Sequence, residues 1–152
     1  MKSLRLLVWL VAFATPPSFA LESDAAGMFA FVHRDGHVTD KVFRLSLDAA
    51  GTWKLEDRKA DGRWADVSCA QDCRLRDSTP ADVARFLAAI DPAPADPVCI
   101  HNAGFAFCSS ADAPRPAERA HVFFALTGPR PVPIRLVRLK AGSGSIAAMP
   151  PS

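Results

Sequence analysis

Apolar and polar residues alternate with a period of two along much of the chain from Met28 onward, and short turn signals interrupt the alternation. That is the pattern of an antiparallel sheet. Phe29, Phe31 and His33 alternate with Ala30, Val32 and Arg34, and Phe43, Leu45 and Leu47 alternate with Arg44, Ser46 and Asp48. A three-residue loop over Ala49, Ala50 and Gly51, with the glycine left-handed, sets Leu47 opposite Trp53 and Leu45 opposite Leu55. The same loop over Ala60, Asp61 and Gly62 sets Leu55 opposite Val67 and Trp53 opposite Cys69. A slip of one residue would put Leu55 across from Ser68. The spacing predicts a meander from about Phe29 to Cys69.

One helix interrupts the strands. Thr79 can cap it, Pro80 suits its first turn, Asp82 sits where the helix dipole favours a carboxylate, and Val83, Phe86, Leu87 and Ile90 recur as one apolar stripe. Asp91-Pro92 should end it, and the stripe should lie across a face of the sheet. Val98 to Cys108, His121 to Leu126 and Ile134 to Lys140 read as further strands, separated by loops over 111–119 and 128–133. The expected fold is a single α+β domain. It is a mainly antiparallel sheet, a meander or partly closed barrel of about eight strands, with one packed helix and two disulfides.

The four cysteines sharpen this. A hairpin turning at Ala103-Gly104 pairs Cys99 with Cys108 at a non-hydrogen-bonded site, where the Cα atoms are close enough for a disulfide. The same register puts Val98, Ile100, Phe105 and Phe107 together on the opposite face. Cys69 and Cys73 would then close a short loop, with a bridge from that loop to the Cys99 hairpin as the competing connectivity.

Disulfides need an oxidising compartment, and the N-terminus supplies the route to one. Lys2 and Arg5 precede an apolar run from Leu6 to Ala14, and Ser18-Phe19-Ala20 is a small-x-small end, so residues 1–20 read as a cleaved signal peptide. The run is too short to span a bilayer. No cysteine follows it to take a lipid anchor. Residues 21–140 form the domain, and 141–152, rich in Gly, Ser, Ala and Pro without periodicity, are expected to be a disordered tail. Abundant Ala, Pro and Arg with no Tyr fit a GC-rich bacterial coding sequence. The expected location is periplasmic or secreted.

Removing the leader changes the charge. The chain has 18 basic and 16 acidic residues, and Lys2 and Arg5 leave with the leader, so the domain is neutral. Nucleic acid is therefore not an expected partner. The charge is segregated, with acidic residues in excess up to Asp112 and basic ones after it. Arg130, Arg135, Arg138 and Lys140 can pair with the acidic body or form a basic face for an acidic partner.

Candidate chemistry is sparse. His33, Asp35 and His37 surround an Asp35-Gly36 turn and offer a metal-binding alternative through His33 and His37, although such groups are also ordinary hairpin chemistry. Zinc on the cysteines lacks the familiar spacing. Gly142-Ser143-Gly144-Ser145 is no nucleophile elbow, no cysteine is left free, and no glycine-rich loop leads from a strand into a helix. No cofactor is implied. Trp53 belongs to the buried face, whereas Trp64 falls on the other face beside Asp66 and Ser68, where an aromatic can anchor a partner. These readings favour a non-enzymatic binding protein whose partner is another protein, with an inhibitor or immunity protein against an envelope-targeting enzyme as the form considered. Trp64, Arg130, Arg135 and Arg138 are its candidate contacts. The alternatives are a small envelope enzyme with His101 or His121 as general base, and a periplasmic metal-binding protein.

Overall fold

In the computed structural model, residues 20–67, 72–110 and 119–140 are described. A 3-10 turn, Ser23–Ala25, leads into β1 (Gly27–Val32), β2 (Val38–Leu47), β3 (Trp53–Arg58), β4 (Trp64–Asp66) and β5 (Arg76–Asp77). Then follow α1 (Pro80–Leu87), β6 (Pro97–His101), β7 (Phe105–Ser110), β8 (His121–Ala125) and β9 (Val132–Leu139). The nine strands form one antiparallel half-barrel in the order β4-β3-β2-β1-β9-β8-β7-β6-β5. Among the described residues α1 is the single α-helix, and no helix is long and apolar enough to cross a membrane.

The hairpin loops fix the register. Leu47 faces Trp53 and Leu45 faces Leu55, as the pattern predicts. Asp48 and Thr52 close the loop at 3.0 Å, and Gly51 takes a φ of 75° that suits glycine. Gly62 does the same at 81° between Lys59 and Arg63, and the Val67 amide donates to the Leu55 carbonyl at 2.9 Å. The expected Trp53–Cys69 pair falls on Cys69, outside the described residues.

Alternation sorts the apolar side chains into two layers. Phe29, Phe43, Leu45, Trp53, Leu55, Ile100, Phe105, Phe107 and Phe123 fill the inner face, and Leu21, Ala25 and Leu75 join them from outside the main strands. On the outer face α1 lays Phe86 over Cys99, Ala106, Cys108 and Phe124. Cys99 and Cys108 are direct cross-strand partners joined by a disulfide. The cystine therefore lies under the helix, with Ile100 and Phe107 on the opposite face.

Two expectations change. Among the described residues there are nine strands where about eight were counted, because the two-residue edge strand β5, pairing Arg76 with His101, is too short to show a period. The helix stops at Leu87, ahead of Asp91-Pro92, since Ala89 and Ile90 donate to the carbonyls of Phe86 and Leu87 and tighten the chain into a turn. Among the described residues one disulfide, Cys99–Cys108, is seen; the expected Cys69–Cys73 bond involves Cys69, which lies outside them. Residues 1–19 of the expected leader and the expected tail over 141–152 lie outside them too.

Candidate functional site

Since neighbouring strands are antiparallel throughout, four connections gather at one end of the half-barrel. These are the β1–β2 turn at 33–37, the β3–β4 turn at 59–63, the β6–β7 turn at 102–104 and the β8–β9 loop at 126–131. The Leu126 amide ties the last two together by donating to the Gly104 carbonyl at 2.8 Å. Asn102, fully buried, builds the neighbouring turn: its Oδ1 accepts from the amides of Gly104 and Phe105 at 2.8 and 3.0 Å.

A groove of 530 Å³ opens there between the end of α1 and the β8–β9 loop. Arg85 and Ala88 line its helical side, and Leu126, Pro129, Arg130 and Pro131 line the other. Among the described residues that line it there is no carboxylate. Arg85 is exposed and has a half-buried partner in Asp82, 3.6 Å away on the same helix, while Arg130 is exposed on the loop. The result is a shallow cleft with an apolar floor, two guanidinium groups and prolines that stiffen one wall.

The other basic candidates do not join Arg130 on one face. In β9, Ile134, Leu136 and Arg138 point inward and Arg135 points out, so Arg135 is exposed and Arg138 half-buried. Arg138 donates to the carbonyl oxygens of Asp24 and Ala26 and lies 5.8 Å from the centre of the Phe29 ring. Trp64 is on the outer face of the opposite edge, half-buried, with the Arg44 guanidinium 4.8 Å from its ring centre. Arg44 also holds Glu56, its cross-strand partner, at 2.6 Å.

The histidines divide into an exposed pair and a buried pair. His33 Nδ1 is 3.5 Å from the Asp35 carboxylate with both side chains exposed, and the His37 amide donates to Asp35 and holds its pKa below the usual value. Among the described residues no group of three or more His, Cys, Asp or Glu side chains is placed to hold a metal ion. His101 Nδ1 and Ser78 Oγ are 2.8 Å apart and both buried. Burial lowers the His101 pKa, Asp82 opposes that, and Arg76 and Arg85 add to it. The pair resembles a hydroxyl nucleophile and its base in distance alone. Ser78 is only 6% exposed, its amide is bonded to Cys99, and the Asp82 carboxylate is engaged in capping α1.

His121 lies at the other end of the half-barrel, 7% exposed. Its ring stacks on Phe107 and meets Phe29 edge-on. Burial first, then the charges of Arg138 and Arg119, bring its pKa to about 4. Arg119 spans to Asp24 at 2.7 Å and to Glu22 at 3.0 Å. Sequence reasoning missed this cluster, as it missed Arg85 in the groove. Arg85 carried a signal, its place on the polar side of an amphipathic helix one turn from the end, whereas Arg119 sat in a segment read as a loop.

No protein-family model, curated protein or solved structure matches this chain.

Proposed function

We propose that this protein is a non-enzymatic binding protein of the bacterial envelope. It docks an acidic segment of a protein partner in the groove between α1 and the β8–β9 loop, and the partner is an envelope-acting enzyme that it inhibits. The observation that carries the reading is the pair Arg85 and Arg130 across a 530 Å³ groove with no lining carboxylate among the described residues. Guanidinium groups favour carboxylates as bidentate partners, and a wall stiffened by Pro129 and Pro131 loses little freedom on binding. Export after cleavage at Ala20, a periplasmic or secreted location and a second disulfide between Cys69 and Cys73 belong to the same proposal. Ser78, His101 and His121 are buried and none lines the groove, which favours binding over catalysis through them.

The test is a comparison of the wild-type protein with the Arg85→Glu/Arg130→Glu double variant as bait for periplasmic and secreted fractions. The prey, once purified, is then assayed for its own activity with each form. One dominant enzyme, retained and inhibited in proportion to added wild-type protein but not by the variant, is the expected result. Equal capture and inhibition by both forms would move the contact away from the groove. Turnover of an envelope substrate by the protein alone would replace the binding reading with an enzymatic one.

A further inference from the structure

The end of the half-barrel remote from the groove is closed by chain rather than by strands. The segment ahead of β1 folds across it, with Leu21 and Ala25 in the inner core and Glu22 and Asp24 turned to Arg119. Arg119 grips both carboxylates, and Arg138 grips the segment's backbone through the Asp24 and Ala26 carbonyls. Gly27 makes room for this grip, since a Cβ there would lie 3.0 Å from the Arg138 guanidinium nitrogens. Few residues are involved, so the segment can open without loss of the sheet.

Beneath the segment several buried polar atoms have no hydrogen-bond partner among the described residues: both ring nitrogens of His121, Ser109 Oγ, Arg119 Nε and Arg138 Nη1. Ser109 and His121 are direct cross-strand partners, which places these two side chains side by side. The groups facing His121 are Asp24 from the 3-10 turn, Arg119 from the stretch before β8, Ser109 from β7 and Arg138 from β9. Phe29 and Phe107 pack against its ring. Among the described residues no carboxylate hydrogen-bonds the ring. A proton on His121 thus adds a third cation to Arg119 and Arg138 in a largely buried place, and a buried charge without a partner is costly.

We infer that residues 21–26 are an acid-released clasp: protonation of His121 repels Arg119 and Arg138, loosens their hold on Glu22, Asp24 and Ala26, and opens this end of the half-barrel. One proton is taken up per opening, and no bond is made or broken. The released state exposes the inner core beside Trp53, which lines a small cleft with Leu21. The folded value of about 4 against the ordinary 6.5 fixes the direction. The closed form excludes the proton, so opening becomes easier as pH falls below about 6.5 and the gain levels off near 4. Between about pH 7.5 and about pH 5 the opening equilibrium should shift by about 30-fold.

The test is amide hydrogen exchange of the purified protein across that range, corrected for intrinsic rates, for wild type, His121→Phe and Arg119→Gln. His121→Phe keeps a ring against Phe107 and cannot take the proton; His121→Gln serves the same end where the phenylalanine variant fails to fold. The wild type should lose about 30-fold protection at the segment's amides while the sheet stays protected, the unprotonatable variant should show no such loss, and Arg119→Gln should be open already at neutral pH. The inference is overturned by an equal loss in the His121 variant, by no loss in wild type, by parallel loss throughout the sheet, or by full protection in Arg119→Gln.

Discussion

Thr79 and Asp82 cap α1 reciprocally: the Asp82 amide donates to Thr79 Oγ1 at 3.2 Å, and the Thr79 amide and hydroxyl donate to Asp82 Oδ2 at 3.2 and 2.7 Å. The helix is only eight residues long, so its stability depends on its ends as well as on its buried face. Thr79→Ala should cost about 1 kcal/mol, measured by urea denaturation at neutral pH. The cap also has a pH sign. The hydrogen bond from the Thr79 side chain, ahead of that from its backbone, lowers the Asp82 pKa. Its contribution is present above the unfolded value and disappears as pH falls through the folded one. The difference between wild type and Thr79→Ala should therefore shrink in acid, and a difference that stays constant would show that Asp82 is not the group responsible.

Phe86 carries the helix onto the sheet. It is fully buried, with its ring 5.7 Å from that of Phe124 and 5.7 Å from His101. Removing a buried phenylalanine ring costs about 3–5 kcal/mol. Phe86→Ala should approach that loss and raise exchange in β6 to β8 on the outer face before it reaches β1 to β3. A uniform effect on both layers would mean that the two cores do not open separately.

The cystine beneath Phe86 can be tested in the same way. Its cysteines are nine residues apart, a short loop for which chain entropy predicts about 2–3 kcal/mol. The Cys99→Ala/Cys108→Ala protein should be less stable by that amount under oxidising conditions and should lose the difference from wild type in reductant. Peptide mapping without reduction should join Cys99 to Cys108, and any linkage of either to Cys69 or Cys73 would contradict the pairing.

Local features of this fold were legible in the sequence because they depend on parity within a hairpin. Gly51 and Gly62 specify left-handed loop ends, and one residue of slip would misplace Leu55, so the register had a single good solution. The Cys99–Cys108 pair followed from the same counting. What stayed hidden is non-local: β1 pairs with β9, bringing Phe29 beside Arg138 across most of the chain, and no period in either segment names the other. The inward turn of Arg138 was in fact readable, since it shares parity with Ile134 and Leu136, but reading the C-terminal charges as one surface overlooked that alternation. Arg119 offered no such clue, because its partner Asp24 is 95 residues away and gains its meaning only once the sheet has closed.

Ser78 and His101 provide a last test, of whether a buried polar pair at a sheet edge is structural. Their 2.8 Å contact bridges from the residue that follows β5 to the end of β6, where the sheet otherwise holds its edge through two residues. Ser78→Ala leaves His101 Nδ1 buried without its partner, at an expected cost of about 1–3 kcal/mol. Burial lowers the His101 pKa, so the folded state holds the ring neutral while the unfolded chain takes up a proton below about 6.5. Stability from this residue is therefore complete at neutral pH and declines as pH falls below that value. Denaturation at several pH values should show the decline in wild type and a weaker one in His101→Phe, which cannot ionise. If Ser78→Ala is neutral and His101→Phe titrates like wild type, neither residue holds the edge, and the contact would require a role other than structure.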